Sequence, residues 1–551
     1  MPNIFHFSLL FLLSSALLCC SKNTPTNAER GIEEQILYVA NADEPRELDP
    51  QLSTGTPEHQ ISSALFEGLL NRHPKTLAMT PGAAERWTLA DDQLTYTFYL
   101  RKNGRWSNGD KINAHDFVYS WHRSLLVRLG SEWASMKYVI KNAEAFHRGD
   151  IDDFSQVGVK AVDDYTLSIT LETPTHHFPQ LLWHNSYFPV HQATIETFGA
   201  MDDRLSKWTL PGNLVGNGPF TLTRWELNKV LEVKRNTHYW DNNAVKLNGI
   251  VFYPIASQQS EVRAYRSGQI HLTYSPQMAI EKIADYQKND PDSLRIHNGY
   301  SSYFYEFNTT IEPFTDARVR RALAYAIDRD KIVKLVTKAG EPPAYSVVAP
   351  DPNGYQAEAL FGYDVAKAQQ LLAEAGYPNG AGFPAAEILY NTHDNHRKVA
   401  LAIQQMLREN LNIEVQLLNQ EWKVYLNTKL NLQHSIARAG WRADFLDPIN
   451  FFELLAPNSG NNNTGWKNQA YGEVLNAIRT AKTEQERQQL MAKANEILAE
   501  QMPVIPLYYM TDVNLVSPAV QGWYDNAMHF HPFNRVFLQD TASTTRQNNK
   551  Q

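Results

Sequence analysis

The chain has 551 residues, and its 51 Lys and Arg against 59 Asp and Glu give a formal net charge of -8 at pH 7. This length exceeds what one hydrophobic core usually organises, so two or three domains are expected. No basic block is present that could neutralise a run of phosphates, which argues against nucleic acid as a partner. With 43% hydrophobic residues, the chain is too apolar to be disordered.

The first segment with a clear pattern is an apolar run over residues 5–18. It is shorter than the ~20 residues that span a bilayer as a helix, so it predicts a signal peptide over residues 1–20, although no Lys or Arg precedes it. The run ends in Leu17-Leu18-Cys19-Cys20-Ser21, which resembles a bacterial lipobox. We therefore predict lipidation at Cys20 and a periplasmic protein anchored to a membrane. The alternative is a cleaved secretory signal that leaves a soluble periplasmic protein.

Cys19 and Cys20 are the only cysteines of the chain, so no disulfide is expected in the folded part. The stability of the fold must then come from its hydrophobic core. Residues 21–33 are polar and are predicted to form a flexible tether.

Strands and helices are mixed through the rest of the chain. Residues 35–40 predict a first strand, and residues 58–70 predict a helix because their apolar positions, Leu69 included, recur at helical spacing. Alternation of apolar and polar residues with a period of two predicts strands at 94–101 and around 167–171.

Two later helices are marked by capping residues. Asp316 precedes apolar residues at helical spacing, and so does Asp364, whose helix is expected to end before Gly376. No repeat of 20 to 50 residues is visible, which argues against solenoids and propellers. Residues 541–551 are polar and are predicted to form a flexible tail.

A search for catalytic motifs finds none. The chain lacks GxGxxG, a Walker P-loop, HExxH, GxSxG and CxxC pairs. His176-His177 and His529-Phe530-His531 have no second cluster at ligand spacing, and such pairs are usually packing or surface residues. No catalytic residue, metal site or cofactor is therefore predicted.

Several segments together resemble the peptide- and nickel-type solute-binding proteins of ABC importers, and in particular their oligopeptide-binding branch. The resemblance runs from about residue 37 to residue 536. The segments that carry it are residues 65–70 (LFEGLL), 97–102 (TFYLRK), 106–110 (WSNGD), 116–121 (DFVYSW), 371–377 (LLAEAGY), 419–423 (NQEWK) and 437–444 (ARAGWRAD).

The resemblance implies an α/β fold with mixed sheets, of the type II-like class of periplasmic binding proteins. Two lobes close on a ligand cleft by a hinge motion, and an extra domain packs on one lobe. The implied division is domain I at residues 34–66, 191–300 and 512–540, domain II at residues 67–190, and domain III at residues 301–511.

The resemblance also implies which residues bind a peptide. Asp444 matches an aspartate that pairs with the α-ammonium of the ligand, because an ammonium enclosed by closure must not be left unpaired. Arg438 and His396 match residues that meet the carboxylate of shorter and slightly longer peptides. The alternatives are an ordinary surface ion pair for Asp444 and a solvated position at a helix start for His396.

Further residues are implied around the ligand. Gly440 and Trp441 flank the aspartate and offer close backbone approach and a flat wall. Trp422 matches a pocket-lining tryptophan, although a core position is equally expected. The remaining matches are His184 in a pocket wall, and Gly55 and Thr56 in a cleft strand that pairs with the peptide backbone.

The sequence departs from the family pattern at positions around the pocket. Thr54 replaces a glutamate, Trp133 and Met510 replace tyrosines, and Thr337 replaces a lysine, with Lys338 adjacent. The family disulfide is missing, and Ser301 and Arg442 stand at its two positions. These changes put the length and side-chain preferences in doubt, and they suggest the hypothesis that Arg442 favours acidic ligands.

The function that the resemblance implies is capture of short peptides with a free N-terminus, by a monomer that delivers them to ABC permease subunits. One alternative is a specialised receptor for a single ligand such as a murein peptide, glutathione or heme. An extracytoplasmic peptidase is a second alternative, and no nucleophile or metal cluster supports it. A surface adhesin or signalling partner that keeps the fold is a third.

Overall fold

The computed structural model describes residues 24–274, 280–352, 354–457 and 459–540. The predicted signal peptide with Cys20 and the predicted tail at residues 541–551 lie outside these ranges. Among the described residues, no helix has the length and apolar character needed to cross a bilayer.

The strands are numbered along the chain. They are β1 (Ile36–Ala40), β2 (Leu70–Arg72), β3 (Met79–Pro81), β4 (Ala84–Leu89), β5 (Thr95–Leu100), β6 (Val159–Asp163), β7 (Thr166–Thr170), β8 (Phe220–Glu226), β9 (Val230–Arg235), β10 (Gly249–Tyr253), β11 (Leu294–Phe307), β12 (Ala386–Asn391), β13 (Val415–Gln420), β14 (Ile436–Arg442), β15 (Val504–Leu515), β16 (Val520–Gln521) and β17 (Phe537–Leu538).

The helices are numbered in the same way. They are α1 (Asn27–Glu34), α2 (Thr56–Leu65), α3 (Ala114–Leu125), α4 (Ala143–Arg148), α5 (Phe178–Leu181), α6 (Gln192–Phe198), α7 (Gln258–Arg266), α8 (Ile280–Asn289), α9 (Ala317–Tyr325), α10 (Arg329–Lys331), α11 (Val365–Glu374), α12 (Asp394–Leu411), α13 (Trp422–Leu430), α14 (Ile449–Leu454), α15 (Gln469–Thr480) and α16 (Glu484–Gln501).

Three larger sheets organise the chain. The first has the order β1-β10-β9-β8, the second β4-β5-β7-β6, and the third β13-β12-β14-β11-β15. Parallel pairs join β1 to β10 and β12 to both β13 and β14, whereas β11 runs antiparallel to β14 and β15. The predicted class of a mixed α/β fold is therefore confirmed.

The long strands β11 and β15 connect the third sheet to the first. Their outer ends pair with each other at Leu294 and Leu515, and Leu272 bridges both β1 and the residue that follows β15. The predicted domain boundaries at residues 300/301 and 511/512 fall inside these two strands, and the domain division remains a prediction.

Local sequence signals locate several elements correctly. In β5, Tyr96, Phe98 and Leu100 are buried and alternate with more exposed residues, as a period of two requires. The side chain of Asp316 caps α9 by accepting a hydrogen bond from the backbone N–H of Arg318, and Asp364 caps α11 through the N–H of Lys367. These predictions are confirmed.

The helix predicted over residues 58–70 is shorter than expected, because α2 ends at Leu65 and Leu69 lies beyond it. The backbone groups that would continue the helix are bound elsewhere. Asn217 accepts from the N–H of Glu67 at 2.9 Å and donates to its carbonyl at 2.8 Å, and the N–H of Gly218 donates to the Leu65 carbonyl. A distant loop thus replaces the helical bonds.

The structure also differs from the tether predicted over residues 21–33, because Asn27–Glu34 forms the helix α1. Thr26 and Glu29 make a capping box, in which each side chain accepts from the backbone N–H of the other. The helix is held to the first sheet region, where the Ala28 N–H donates to the Gly268 carbonyl at 2.9 Å.

Candidate ligand-binding site

A cavity of about 240 Å³ lies between the end of β14 and the segments that flank α2. Seven of the predicted site residues line it, together with residues that the sequence analysis did not select. The lining consists of Ser53, Thr54, Gly55, Thr56, His59, Ser63, Trp133, Trp183, His184, Asn185, Tyr274, Arg442, Ala443, Asp444, Met528, His529, Phe530 and His531.

Asp444 lies two residues after the end of β14, and its carboxylate has no cationic partner among the described residues. Asn450 holds it: the amide of Asn450 donates to Oδ2 at 3.5 Å, and its oxygen accepts from the Asp444 N–H at 3.3 Å. Burial raises the pKa of Asp444 to about 6, which the hydrogen bond from Asn450 only partly offsets. The ionised form of this buried carboxylate is stabilised most by a ligand that brings a positive charge.

Asn450 also fixes the wall beside this carboxylate. The indole N–H of Trp441 donates to its oxygen at 2.7 Å, and Trp441 lines a second cavity that shares Asp444 with the first. Trp441 and Asp444 are therefore brought together as the resemblance implied, although through a residue that sequence reasoning missed.

Arg442 lies two residues before Asp444 and is already paired. Its guanidinium contacts Asp512 with both terminal nitrogens, at 2.5 Å to Oδ1 and 3.1 Å to Oδ2. Ser301 stands directly opposite Arg442 across the β11–β14 pair, so the two positions implied for a disulfide are indeed neighbours. Because the charge of Arg442 is largely neutralised, its hypothesised preference for acidic ligands is expected to be small.

Arg438 is the third residue of β14 and lies at the opposite end of this strand segment from Asp444. Its guanidinium sits 4.8 Å from the ring centre of Tyr303 and makes one long hydrogen bond, 3.4 Å to Asn391, while Nε has no partner among the described atoms. The structure forms no ion pair here within the described ranges. Arg438 thus carries a positive charge that no carboxylate neutralises.

His396 lies at the same end of the candidate site as Arg438. It is not the solvated residue at a helix start that was the alternative. It is buried in the first turn of α12, and its Nδ1 lies 3.1 Å from the Tyr303 hydroxyl. Burial, with a smaller contribution from the Arg438 guanidinium, lowers the pKa of His396 far below its usual range. A neutral imidazole offers a ligand a hydrogen bond and no charge.

Between these two ends, one edge of β14 has no strand partner within the described ranges. The neighbouring strand β12 pairs with β14 only at Ile436 and Ala437, whereas β11 covers the other edge up to Arg442. Gly440 is exposed in the middle of this segment. An extended chain could therefore add to the sheet here through main-chain hydrogen bonds.

Aromatic rings form the opposite wall. The indole N–H of Trp133 donates to the Ser53 carbonyl at 2.7 Å, and the ring meets His184 edge to face at 4.6 Å. His184 also contacts His59, whose ring lies against Trp183. Desolvation lowers the pKa values of His184 and His59, so this wall is uncharged near pH 7.

Contacts join the two sides of the cleft next to Asp444. The side chain of Gln180 donates to the Leu446 carbonyl at 3.0 Å and accepts from the Leu446 N–H at 2.8 Å. The rings of His177 and Phe445 stack with centres 4.2 Å apart and an angle of 2° between their planes. Residues from the predicted domains II and III therefore touch in this structure.

Two implied placements need correction. Thr56 begins α2 and is not part of a cleft strand, while Gly55 is the extended residue that precedes the helix. A Cβ at Gly55 would lie 2.1 Å from the carboxylate of Glu58, so a larger residue here would require the Glu58 side chain to move. The helix starts here because Pro57 suits the first turn of a helix.

Trp422 and Met510 do not line the cavity. The ring of Trp422 is 48% exposed and stacks on Tyr425, which excludes the core position that was the alternative. Met510 is partly buried under Gly440. The roles of all predicted site residues remain predictions.

The residues that sequence reasoning missed come from several distant segments. Asn185, Tyr274 and Met528 carry no motif that marks them. The sequence pattern of His529 and His531 predicts packing residues. Only the fold places the pair beside Asp444.

Comparison with known proteins gives consistent results over nearly the whole chain. The family model described as "Bacterial extracellular solute-binding proteins, family 5 Middle" matches residues 78–463. The periplasmic oligopeptide-binding protein OppA of Salmonella typhimurium is 36% identical over 545 residues, which are 95% of this chain and 96% of that protein. The periplasmic murein peptide-binding protein MppA of Escherichia coli is 35% identical over 523 residues, 93% and 94% of the two chains.

A solved structure agrees in fold. Haemophilus influenzae OppA in complex with RPPGFSPFR matches with a TM-score of 0.79 at 30% sequence identity, covering 92% of this chain and 99% of that chain. The fold is therefore of the two-lobe, type II-like class that the sequence resemblance implied.

Proposed function

Because this chain belongs to family 5 of the bacterial extracellular solute-binding proteins, we propose that it captures short peptides with a free N-terminus and delivers them to an ABC importer. The peptide lies extended along β14, with its α-ammonium on Asp444 and its carboxylate toward Arg438. The protein acts by binding alone and performs no reaction on the peptide.

The observation that carries this proposal is the pair of unneutralised charges of opposite sign at the two ends of one strand segment. A free peptide is a zwitterion in which ammonium and carboxylate are held apart by an extended backbone. Asp444 lies six positions after Arg438, which is at most about 20 Å at the rise of a β-strand. This span suits an extended peptide of a few residues.

The open edge of β14 supports binding that tolerates different side chains. Main-chain hydrogen bonds are common to all peptides, so they contribute affinity without selecting a sequence. The cavity beside Asp444 leaves space for side chains and water, and bridging water is nearly as good as a direct hydrogen bond. Selection then rests on the two charged termini.

The second candidate function is a receptor specialised for one ligand. The similarity to a murein peptide-binding protein at 35% identity favours it, as do the departures from the family pattern at Thr54, Trp133 and Met510. A murein peptide would still present a charge to Asp444. The range of accepted peptides distinguishes the two functions.

We further propose that the chain is exported, lipidated at Cys20 and held at a membrane of the cell envelope as a monomer. The support is the lipobox-like sequence and the periplasmic relatives. Metabolic labelling with radioactive palmitate tests this, since labelling of the wild-type chain and not of Cys20→Ala is expected. Labelling of neither protein would leave the soluble periplasmic alternative.

The test of peptide capture is calorimetry on the chain after ligand is removed by unfolding and refolding. A library of di- to hexapeptides is titrated beside N-acetylated copies of the same sequences. Binding of many sequences that acetylation abolishes is expected. Binding of one compound only supports the specialised receptor, and indifference to acetylation contradicts the assignment of Asp444.

A further inference from the structure

A second cluster of buried polar side chains lies behind the cleft, where three separate segments meet. His297 of β11 and Asp512 of β15 face each other directly in the strand pair, and His529 approaches them from the segment after β16. Nε2 of His297 lies 3.5 Å from Oδ2 of Asp512, and Nδ1 of His529 lies 3.7 Å from the same oxygen.

The nitrogens of this cluster lack partners. Both ring nitrogens of His297 and of His529 are buried without a hydrogen bond to any described atom. Their side chains are 11% and 8% exposed, and that of Asp512 is fully buried. Buried donors and acceptors are normally satisfied, because an unpaired one costs about 1 to 3 kcal/mol. Two of these nitrogens, Nε2 of His297 and Nδ1 of His529, face one carboxylate oxygen of Asp512, and such an arrangement calls for a ligand.

We propose that His297, Asp512 and His529 bind one divalent transition metal ion, of which Zn²⁺ is the representative. Two imidazoles and one carboxylate are a donor set that suits Zn²⁺ and is unsuited to Mg²⁺ or Ca²⁺, which take oxygen ligands. The site does not depend on the proposed peptide function.

The distances between the donors agree with this assignment. One atom from each residue can be chosen so that all three lie within 4.8 Å of one another. Two ligands that each lie ~2.0–2.1 Å from a tetrahedral zinc are separated by roughly 3.3 Å. The observed 3.5 and 3.7 Å between each histidine and Asp512 require a small contraction, and the two imidazole nitrogens, which lie within 4.8 Å of each other, must also move closer together.

The surroundings fix the ligands and leave one carboxylate oxygen for the metal. Asp525 lies 3.8 Å from Nδ1 of His297, the nitrogen opposite the proposed metal ligand, which is where metal-binding histidines commonly have a carboxylate. Arg442 approaches Oδ1 of Asp512 at 2.5 Å and Oδ2 at 3.1 Å. Metal binding therefore requires Arg442 to stay on Oδ1 and release Oδ2.

The metal reaches the site from the cleft. His529 and Arg442 both line the cavity beside Asp444, so the cluster borders that cavity, and three protein ligands leave one position of a tetrahedral zinc free. The open position could hold water when the cavity contains no ligand.

The experiment uses the full chain purified without a polyhistidine tag and treated with a chelator. Equilibrium dialysis against Zn²⁺ with elemental analysis measures stoichiometry and affinity, and Co²⁺ replacement gives a visible spectrum that reports the coordination. About one ion per chain is expected, with a tetrahedral or five-coordinate Co²⁺ spectrum and no binding of Mg²⁺. His297→Ala and His529→Ala should each weaken Zn²⁺ binding by more than about tenfold.

The matched control is His176→Ala, because His176 is exposed and far from the cluster in sequence. It should bind Zn²⁺ like the wild-type chain. Zn²⁺ should also raise the melting temperature of the wild-type chain and of His176→Ala, and not that of His529→Ala. Binding that survives both substitutions in the cluster, or absence of binding to the wild-type chain, overturns the proposal.

Discussion

Arg442 and Asp444 are separated by one residue, and they hold their charges in different ways. Arg442 is paired with the buried Asp512 at 2.5 Å, whereas Asp444 has, within the described part of the chain, only the side chain of Asn450 as a partner and a pKa raised to about 6 by burial. A charge that the protein neutralises itself adds little to ligand binding. A charge left unpaired lowers the stability of the free protein and increases the affinity for a complementary ligand.

The largest expected effect is on peptide affinity when Asp444 is changed to Asn. The ammonium of the ligand would be enclosed without a counter-charge, so affinity should fall by about 2 to 5 kcal/mol, or roughly 30- to 4000-fold. Calorimetry with a free-amine peptide measures this. The control is Asp150→Asn, since Asp150 is exposed. A loss of less than about threefold in D444N would contradict the pairing.

Changing Arg438 to Met tests the other unpaired charge. Hydrogen bonds to charged groups contribute about 1.5 to 3 kcal/mol, so peptides whose carboxylate reaches Arg438 should bind roughly 10- to 150-fold more weakly. C-terminally amidated copies should bind R438M and the wild-type chain equally. Arg397→Met, at an exposed position of α12, serves as the control. Equal losses for acids and amides would argue against a contact with the carboxylate.

Peptide affinity should also depend on pH. Below pH 6 the carboxyl of Asp444 in the free protein becomes protonated, and binding must then release that proton. Affinity at pH 5 is therefore expected to be about tenfold weaker than at pH 7, and to weaken again above pH 8 as the peptide amine loses its proton. Titrations across this range in two buffers measure the effect. An unchanged acidic limb in D444N would assign the proton to another group.

A smaller effect is expected on the stability of the ligand-free protein. The pKa of Asp444 is raised in the folded state, so the neutral form is favoured by folding, and stability decreases as pH rises through about 6. At pH 7, D444N should therefore be more stable than wild type by about 1 to 2 kcal/mol. Urea unfolding measures this, and the difference should shrink toward pH 4. Equal stability of D444N and wild type at both pH 7 and pH 4 would mean that the Asp444 carboxyl is solvated in the folded protein.

The smallest effect concerns Arg442. Since Asp512 already neutralises it, peptides with Glu and with Lys at the same position should differ in affinity by less than about 1 kcal/mol, with Glu favoured. Competition between two such peptides measures this directly. A preference larger than tenfold would show that the ligand displaces Asp512 from Arg442, and equal affinity would refute the preference for acidic ligands.

Helices and strands were predictable where the sequence signal lies within a few neighbouring residues. The alternation in β5 and the caps at Asp316 and Asp364 are contained within a few residues. The capping box that starts α1 is equally local and was overlooked because the segment is polar. The end of α2 was not predictable, because Asn217 lies about 150 positions along the chain from the backbone groups that it binds.

The residues of the candidate site also divide into those that a local sequence segment indicates and those that only the fold brings together. Asp444 and Arg438 were found through a resemblance carried by one short segment, residues 437–444. The ion pair of Arg442 with Asp512, and the meeting of His297 with His529, depend on strand pairing between distant parts of the chain. No spacing in the sequence indicates these contacts.

The contacts between Gln180 and Leu446 bear on how long a ligand stays bound. The amide of Gln180 makes two hydrogen bonds to the backbone of Leu446, and His177 stacks on Phe445 beside them. Leu446 is only two residues from Asp444, so the protein cannot open at this point without moving the segment on which we propose that the ligand's ammonium binds. Opening of the cleft and escape of the peptide should therefore be one kinetic step. The dissociation rate, more than the association rate, will then reflect the strength of these contacts.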